Sequence, residues 1–304
     1  MKIAILGATS QIAQDLILSF SRHKSYELLL FARNVKLLKE WVDSEGLDNK
    51  YQVKTYSYFS NNQSYDVIIN FVGVGDPVKA QKIGRNILKI TSQYDNVVLD
   101  YLQHHKETKY IFLSSGAVYG GNFQQPVSRD SIATINNLST TSWYAISKLQ
   151  AEIKHQALIN SSIVNIRVFN YFSHTQDANA KFLITNVVRA IKNKEIFKTS
   201  VDNIVRDFVT PPDFYNLIQA IIDSKPTNTT LDCYTKSPIA KFDLLFAMKD
   251  KFNLNYEIAE SLDIVNIAGH KMHYYSTSNN AKNIGYEPKN TSLEGVVKEI
   301  EKLV

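Results

Sequence analysis

Tyr144 and Lys148, four residues apart in the stretch YAISK, are the pairing in this sequence best suited to acid–base chemistry. On a helix, positions i and i+4 share a face, so the phenol and the ammonium would front one cleft. A phenol titrates at about 10, too high for a base at neutral pH. A neighbouring ammonium stabilises the phenolate and draws that value down, and the pair then moves protons on or off a hydroxyl. The same spacing also describes an exposed helix face. Ser115 is a second candidate, in SSGAVYGG directly after the apolar run YIFL. Its hydroxyl can donate to a substrate oxygen and share a proton with Tyr144, or it can cap a turn. Trp143 either walls that pocket or packs. Cys233 is the lone cysteine, which excludes an internal disulfide and a cysteine metal cluster. It reads as a small apolar residue of a buried strand. His104 and His105 are adjacent and cannot face one way, so they make no metal site.

Such groups need a scaffold. KIAIL, ELLLFA, DVIINFVG, KYIFLSS and VNIRVFN are short apolar or β-branched runs. Helical patterns alternate with them, QIAQDLILSFSRH and SWYAISKLQAEIKHQAL among others. That alternation implies βαβ units, hence an α/β fold with a doubly wound parallel sheet covered on both faces. It persists to about residue 170. Beyond it, FLITNVVRAIKN, PPDFYNLIQAIID and SLEGVVKEIEKLV read as helices, the second opening at a Pro pair. The expected organisation is a sheet domain over 1–170 and a smaller lobe over 171–304. A segment at about 201–225 would return to the sheet domain.

The turn between the first strand and the first helix is GATSQIA, residues 7–13. It has the spacing of G-x-x-G-x-x-G with only Gly7 kept. Gly7 supplies the tight turn, Ser10 is small and offers a hydroxyl to a phosphate, and Ala13 lets the helix pack on the sheet. An ordinary strand-turn-helix would look the same. The second strand ends at Arg33 with no Asp or Glu nearby, which suits the 2′-phosphate of NADP rather than the ribose of NAD.

The composition is that of a soluble globular chain: 304 residues, 44% hydrophobic, 21% charged, net charge +5. The positive residues are dispersed, which argues against nucleic acid and suits a phosphate-bearing small molecule. No apolar run approaches a membrane span, and the first residues lack a signal-peptide core, so a cytoplasmic protein is expected.

Taken in order, these stretches resemble the extended short-chain dehydrogenase/reductase family, the NAD(P)-dependent nucleotide-sugar epimerases, dehydratases and reductases. GATSQIA resembles the family's glycine loop, INFVG its fourth-strand motif, SSGAVYG its S-S-x-x-V-Y-G, and YAISK its Tyr–Lys pair. IRVFN resembles the R-x-x-N strand, VRDFV the R-D-[FY]-[IV] motif, and NIGYEPKNTSLEG the C-terminal L-G-[YW]-x-P ending. The resemblance implies a Rossmann-type domain in which Ser115, Tyr144 and Lys148 are catalytic. It implies cofactor contacts at Gly7, Thr9, Ser10, Gln11, Ile12, Arg33, Phe71, Val72, Gly73, Ser114, Tyr144 and Lys148. Ser115, Asn170 and Arg206 would bind substrate, the last two at the diphosphate. Homodimerisation through a four-helix bundle containing the YAISK helix is also implied.

Departures narrow the choice. Gly116 and Ala117 stand where 4,6-dehydratases carry Asp-Glu, and Ala117 where 3,5-epimerase/reductases carry a Cys, with His174 only loosely at the His place. FSHTQD replaces a Gly-Pro, and TPPD replaces H-V-x-D. The expectation is an NADPH-dependent reductase of a nucleotide-linked 4-keto-6-deoxyhexose, used for cell-surface polysaccharide. An NAD-dependent nucleotide-sugar 4-epimerase is the alternative. A catalytically inactive NADP(H)-sensing or scaffold protein ranks below both.

Overall fold

The computed structural model describes residues 1–74, 80, 82–120, 123–133, 143–259 and 271–304. Gly121, the last residue of SSGAVYGG, lies outside them, as does Ser142 before the YAISK helix. The central sheet has seven parallel strands in the order β11-β6-β5-β4-β1-β2-β3. They are β1 (Lys2–Leu6), β2 (Glu27–Phe31), β3 (Gln52–Lys54), β4 (Val67–Asn70), β5 (Lys109–Ser115), β6 (Ile163–Val168) and β11 (Thr229–Asp232). Side chains alternate across each strand. On β1, Ile3 and Ile5 join one core with Ala13, Leu16, Ile17 and Phe20 of α1 (Gln11–His23). Phe214, Leu217 and Ile221 of α6 (Pro211–Asp223) complete that layer. Ala4 and Leu6 face the opposite core, with Val98, Tyr101 and Leu102 of the helix Asn86–His104 and Ala151 of the helix Trp143–Ala157. This is a Rossmann-type doubly wound α/β fold.

Two strands escape the hydrophobic pattern. QVK is three residues long, and TTLD carries two threonines and an acid on the sheet edge, where burial is incomplete. The second matters for the expected returning segment. Val205–Arg206 (β9) pairs with Ile239–Ala240 and with His273–Tyr274 (β14), outside the main sheet. Only from Phe208 onward does the chain come back, first as α6 against α1 and then as β11 against β6. The stretch Phe208–Asp232 thus packs against the sheet domain. A separate apolar cluster, including Val187, Leu244, Met248 and Val296, holds the remaining helices together.

The family-like C-terminal ending has a direct physical meaning. Thr291 and Glu294 form a reciprocal cap on the last helix, Ser292–Ile300, with bonds of 3.2 and 2.8 Å. A side chain at Gly295 would meet the Thr210 hydroxyl at 2.9 Å.

Candidate functional site

The sheet order reverses between β1 and β4, and a crevice opens at their carboxyl ends. Gly7 sits there at φ +75, and a Cβ on it would lie 2.9 Å from the backbone of Phe71 and Val72. The loop can pass only as glycine. Ser10 caps α1, its hydroxyl oxygen accepting from the Ala13 N–H at 3.4 Å, which leaves its own proton to donate. The first-turn N–H groups of Gln11 and Ile12 have no intrahelical acceptor, and Thr9 is exposed beside them. A bare glycine cradle facing a helix N-terminus fits the pyrophosphate of a dinucleotide. The Gln11 side chain points elsewhere, donating to Ser173 at 2.7 Å. Arg33 is exposed at the end of β2, and its charge is felt by Tyr56. The Tyr56 hydroxyl accepts from the Gly7 N–H at 2.9 Å, so the sequence missed a tyrosine at the mouth of the loop.

Phe71, Val72 and Gly73 follow β4 directly. Gly73 lies close to a neighbour, since a Cβ there would stand 2.9 Å from the Lys148 ammonium. Lys148 is 3% exposed and donates to the carbonyls of Leu113 at 2.7 Å and Val72 at 3.4 Å. Burial pulls it down to about 8, against the opposing pull of Asp95 and Glu152. Tyr144 lies one turn earlier on the same helix, its hydroxyl in hydrogen-bonding reach of Ser115. The expectation that Lys148 lowers the phenol is not met. Burial raises Tyr144, and Ser115 is what acts against that rise.

Ser115 ends β5 and accepts from the Ala117 N–H at 3.2 Å. A second phenol, Tyr274 on β14, also reaches Ser115 and feels Tyr144. Sequence reasoning passed over it, although HKMHYY brings a lysine and two tyrosines close together in the chain. Gly116 and the residue after it carry no acid, and the fold explains the first of these. A Cβ on Gly116 would meet the Phe169 ring at 2.3 Å.

Two expected ligand contacts are otherwise engaged. The Ser114 hydroxyl turns away into the helix–sheet interface, donating to Glu152 at 2.5 Å. Both N–H groups of Asn170 are spent on the carbonyls of Asp207 and Tyr274, each at 3.2 Å, so its free atom is an acceptor that a phosphate repels. Asn170 braces Tyr274. Arg206, by contrast, is turned towards Tyr274, with its guanidinium 6.0 Å from that ring. Burial holds it down to about 10. His174 is occupied by Glu299, to which it bonds at 2.6 Å.

Among the described residues no helix is long and apolar enough to cross a membrane. The model of the NAD dependent epimerase/dehydratase family matches residues 3–232. No curated protein matches the chain in sequence. Among solved structures, the chain is similar to the UDP-glucuronic acid 4-epimerase of Bacillus cereus in complex with UDP-glucuronic acid and NAD (TM-score 0.78, 16% identity, 100% of each chain covered). It is similar to the UDP-glucose 4-epimerase of Thermotoga maritima with UDP-glucose (0.80, 16%, 100% of this chain and 98% of that one). It is also similar to the UDP-N-acetylglucosamine 4-epimerase of Methanobrevibacter ruminantium in complex with UDP-N-acetylmuramic acid (0.81, 14%, 99% and 97%). At these identities the likeness is one of fold.

Proposed function

The chain belongs to the NAD-dependent epimerase/dehydratase family, and from that premise we propose that it inverts C4 of a nucleotide-linked hexose. The observation that carries this reading is the meeting of Tyr144, Ser115 and Lys148 beside the Gly7 crevice. A bound nicotinamide dinucleotide supplies the acceptor and donor of the hydride. Tyr144, once ionised, takes the proton of the C4 hydroxyl to become the neutral phenol, and gives it back to the C4 oxygen when the hydride returns. Ser115 holds the same oxygen. Lys148, fixed by two carbonyls, presents its ammonium to the cofactor's ribose. Gly7, Ser10 and the first N–H groups of α1 receive the pyrophosphate, and Arg206 receives the diphosphate of the sugar nucleotide. The absence of room for a side chain at Gly116 speaks against a dehydratase. Homodimerisation belongs to the same reading, since Val97 and Ile153 are exposed apolar residues on the two helices of that face.

Arg33, with no acid near it, favours a second reading: an NADPH-dependent reductase of a nucleotide-linked 4-keto sugar. The cofactor separates the two. The purified protein is denatured and any released dinucleotide identified by mass spectrometry, then the emptied protein is titrated with NADH and NADPH. Stoichiometric NAD supports the 4-epimerase. An empty protein that prefers NADPH supports the reductase. Binding of neither overturns both and leaves a scaffold.

A further inference from the structure

Among the described residues, several buried or half-buried cations are satisfied by oxygen. Lys154 has Asp95, Arg167 has Glu152, Lys109 has three backbone carbonyls, and Lys241 has that of Ser200. Lys271 differs. Its ammonium stands 4.2 Å from the centroid of Tyr274 and 5.2 Å from that of Phe123, two rings in edge contact at 4.8 Å. Among the described residues no carboxylate pairs with it. Its charged neighbour is another cation, Arg206, whose Cα is the strand partner of Tyr274. Burial and that like charge pull Lys271 down to about 8. Two cations held close together with no carboxylate among the described residues are a cost that an anionic ligand removes.

The two differ in what they can hold. Arg206 is a planar fork, suited to bidentate phosphate oxygens, and two backbone carbonyls fix it at 2.8 and 3.3 Å. Lys271 is a point charge on a flexible stem. It lies directly on the ring of Tyr274, the residue whose hydroxyl reaches Ser115 beside Tyr144. Tyr274 thus lies between Lys271 and the Ser115–Tyr144 pair, and Lys271 is nearer that ring than Arg206 is.

We propose that Lys271 binds a carboxylate carried by the sugar, so that the substrate is a nucleotide-linked acidic hexose such as a uronic acid. The inference rests on the reading of the chain as a nucleotide-sugar enzyme. It disfavours the 6-deoxy sugar expected from the sequence, which has a methyl group in place of that carboxylate. Tyr274 and Phe123 shield the pair from water, and Arg206 is left for the diphosphate.

The test is calorimetric titration of the wild-type protein, carrying its dinucleotide, with UDP, UDP-glucose and UDP-glucuronate, repeated on K271M and K271R. A charge-assisted bond to the carboxylate predicts wild-type preference for the uronate over the glucose of about 10- to 100-fold. K271M should lose that preference with UDP and UDP-glucose changed less than about threefold, and K271R should keep most of it. An equal loss for all three ligands would make Lys271 a diphosphate contact and overturn the proposal. So would a wild-type protein indifferent to the carboxylate, a measurement that needs no variant. If UDP itself fails to bind, the nucleotide-sugar reading falls, and this inference with it.

Discussion

Against β5, Glu152 receives Ser114 and a two-pronged Arg167, and Asp95 receives Lys154, His155 and Tyr110. In the cleft at the end of the same strand, Arg206 and Lys271 share a field with no carboxylate among the described residues. The first region has a dry centre: Asp95, Glu152 and His155 are 0% exposed, and each is held from more than one side. Its charges serve the fold, because every one is answered inside it. Among the described residues the second meets its charges with rings and backbone carbonyls, and with no acid. A buried ion pair is a weak source of stability but a heavy loss when broken, whereas a buried unpaired ion is a standing cost. The contrast separates residues that hold the scaffold from residues that wait for a ligand.

The comparison makes unequal demands on variants. Y144F should lower turnover by about 10²- to 10⁴-fold, with dinucleotide affinity and unfolding midpoint kept. Steady-state assay beside a denaturant titration reads both, and an active Y144F would remove the cleft from the chemistry. E152A strands Arg167 and should cost about 3–5 kcal/mol in urea unfolding. A loss below about 1 kcal/mol would place that network with ordinary surface pairs. K271M should do the opposite and stabilise the fold by about 1–2 kcal/mol at pH 7. Its sign has a pH signature. The folded value of about 8 lies below the ordinary 10.5, so the folded protein holds that proton less tightly than the unfolded chain. The cost is full below pH 8 and fades as pH rises towards 10.5. The stability gap between K271M and wild type should close across that window, and a gap constant with pH would refute the unpaired charge. T291A, remote from both regions, should cost about 1 kcal/mol through its lost helix cap.

Much of this was legible in the sequence because parallel strands buried on both faces read as apolar runs. KIAIL, DVIIN and KYIFL gave the sheet away, and motif order gave away the crevice. Short elements on the edge were not legible. TTLD has the polarity of a loop and becomes a strand only because β6 offers it a partner. Residue types were easier to foresee than orientations. Ser114 and Ser115 are adjacent, yet alternation along β5 sends one hydroxyl to Glu152 and the other to Tyr144. Asn170 sits at its motif position but spends its donors on backbone. FSHTQD looked like a departure near the substrate. It is a tether: its Ser173 and Thr175, with Tyr171 just before it, all donate to the buried Asp15 of α1, at 2.7, 2.8 and 2.9 Å. In TPPD, Asp213 likewise accepts from the backbone of Lys289 and Asn290. Tyr274 and Lys271 carry no motif, and only the folding of β14 against β9 brings them to the site.

The edge strand β11 has a consequence in time. The sheet that forms the cofactor crevice is not complete until the ribosome has passed Asp232, because β11 is made after β9 and then joins β6. A nascent chain that has released β6 but not β11 exposes the unpaired side of an apolar strand, Ile163–Val168, while the intervening sixty or so residues emerge. Such a distant pairing has a large loop to close, which slows folding and makes that interval the one in which this chain most needs protection from aggregation.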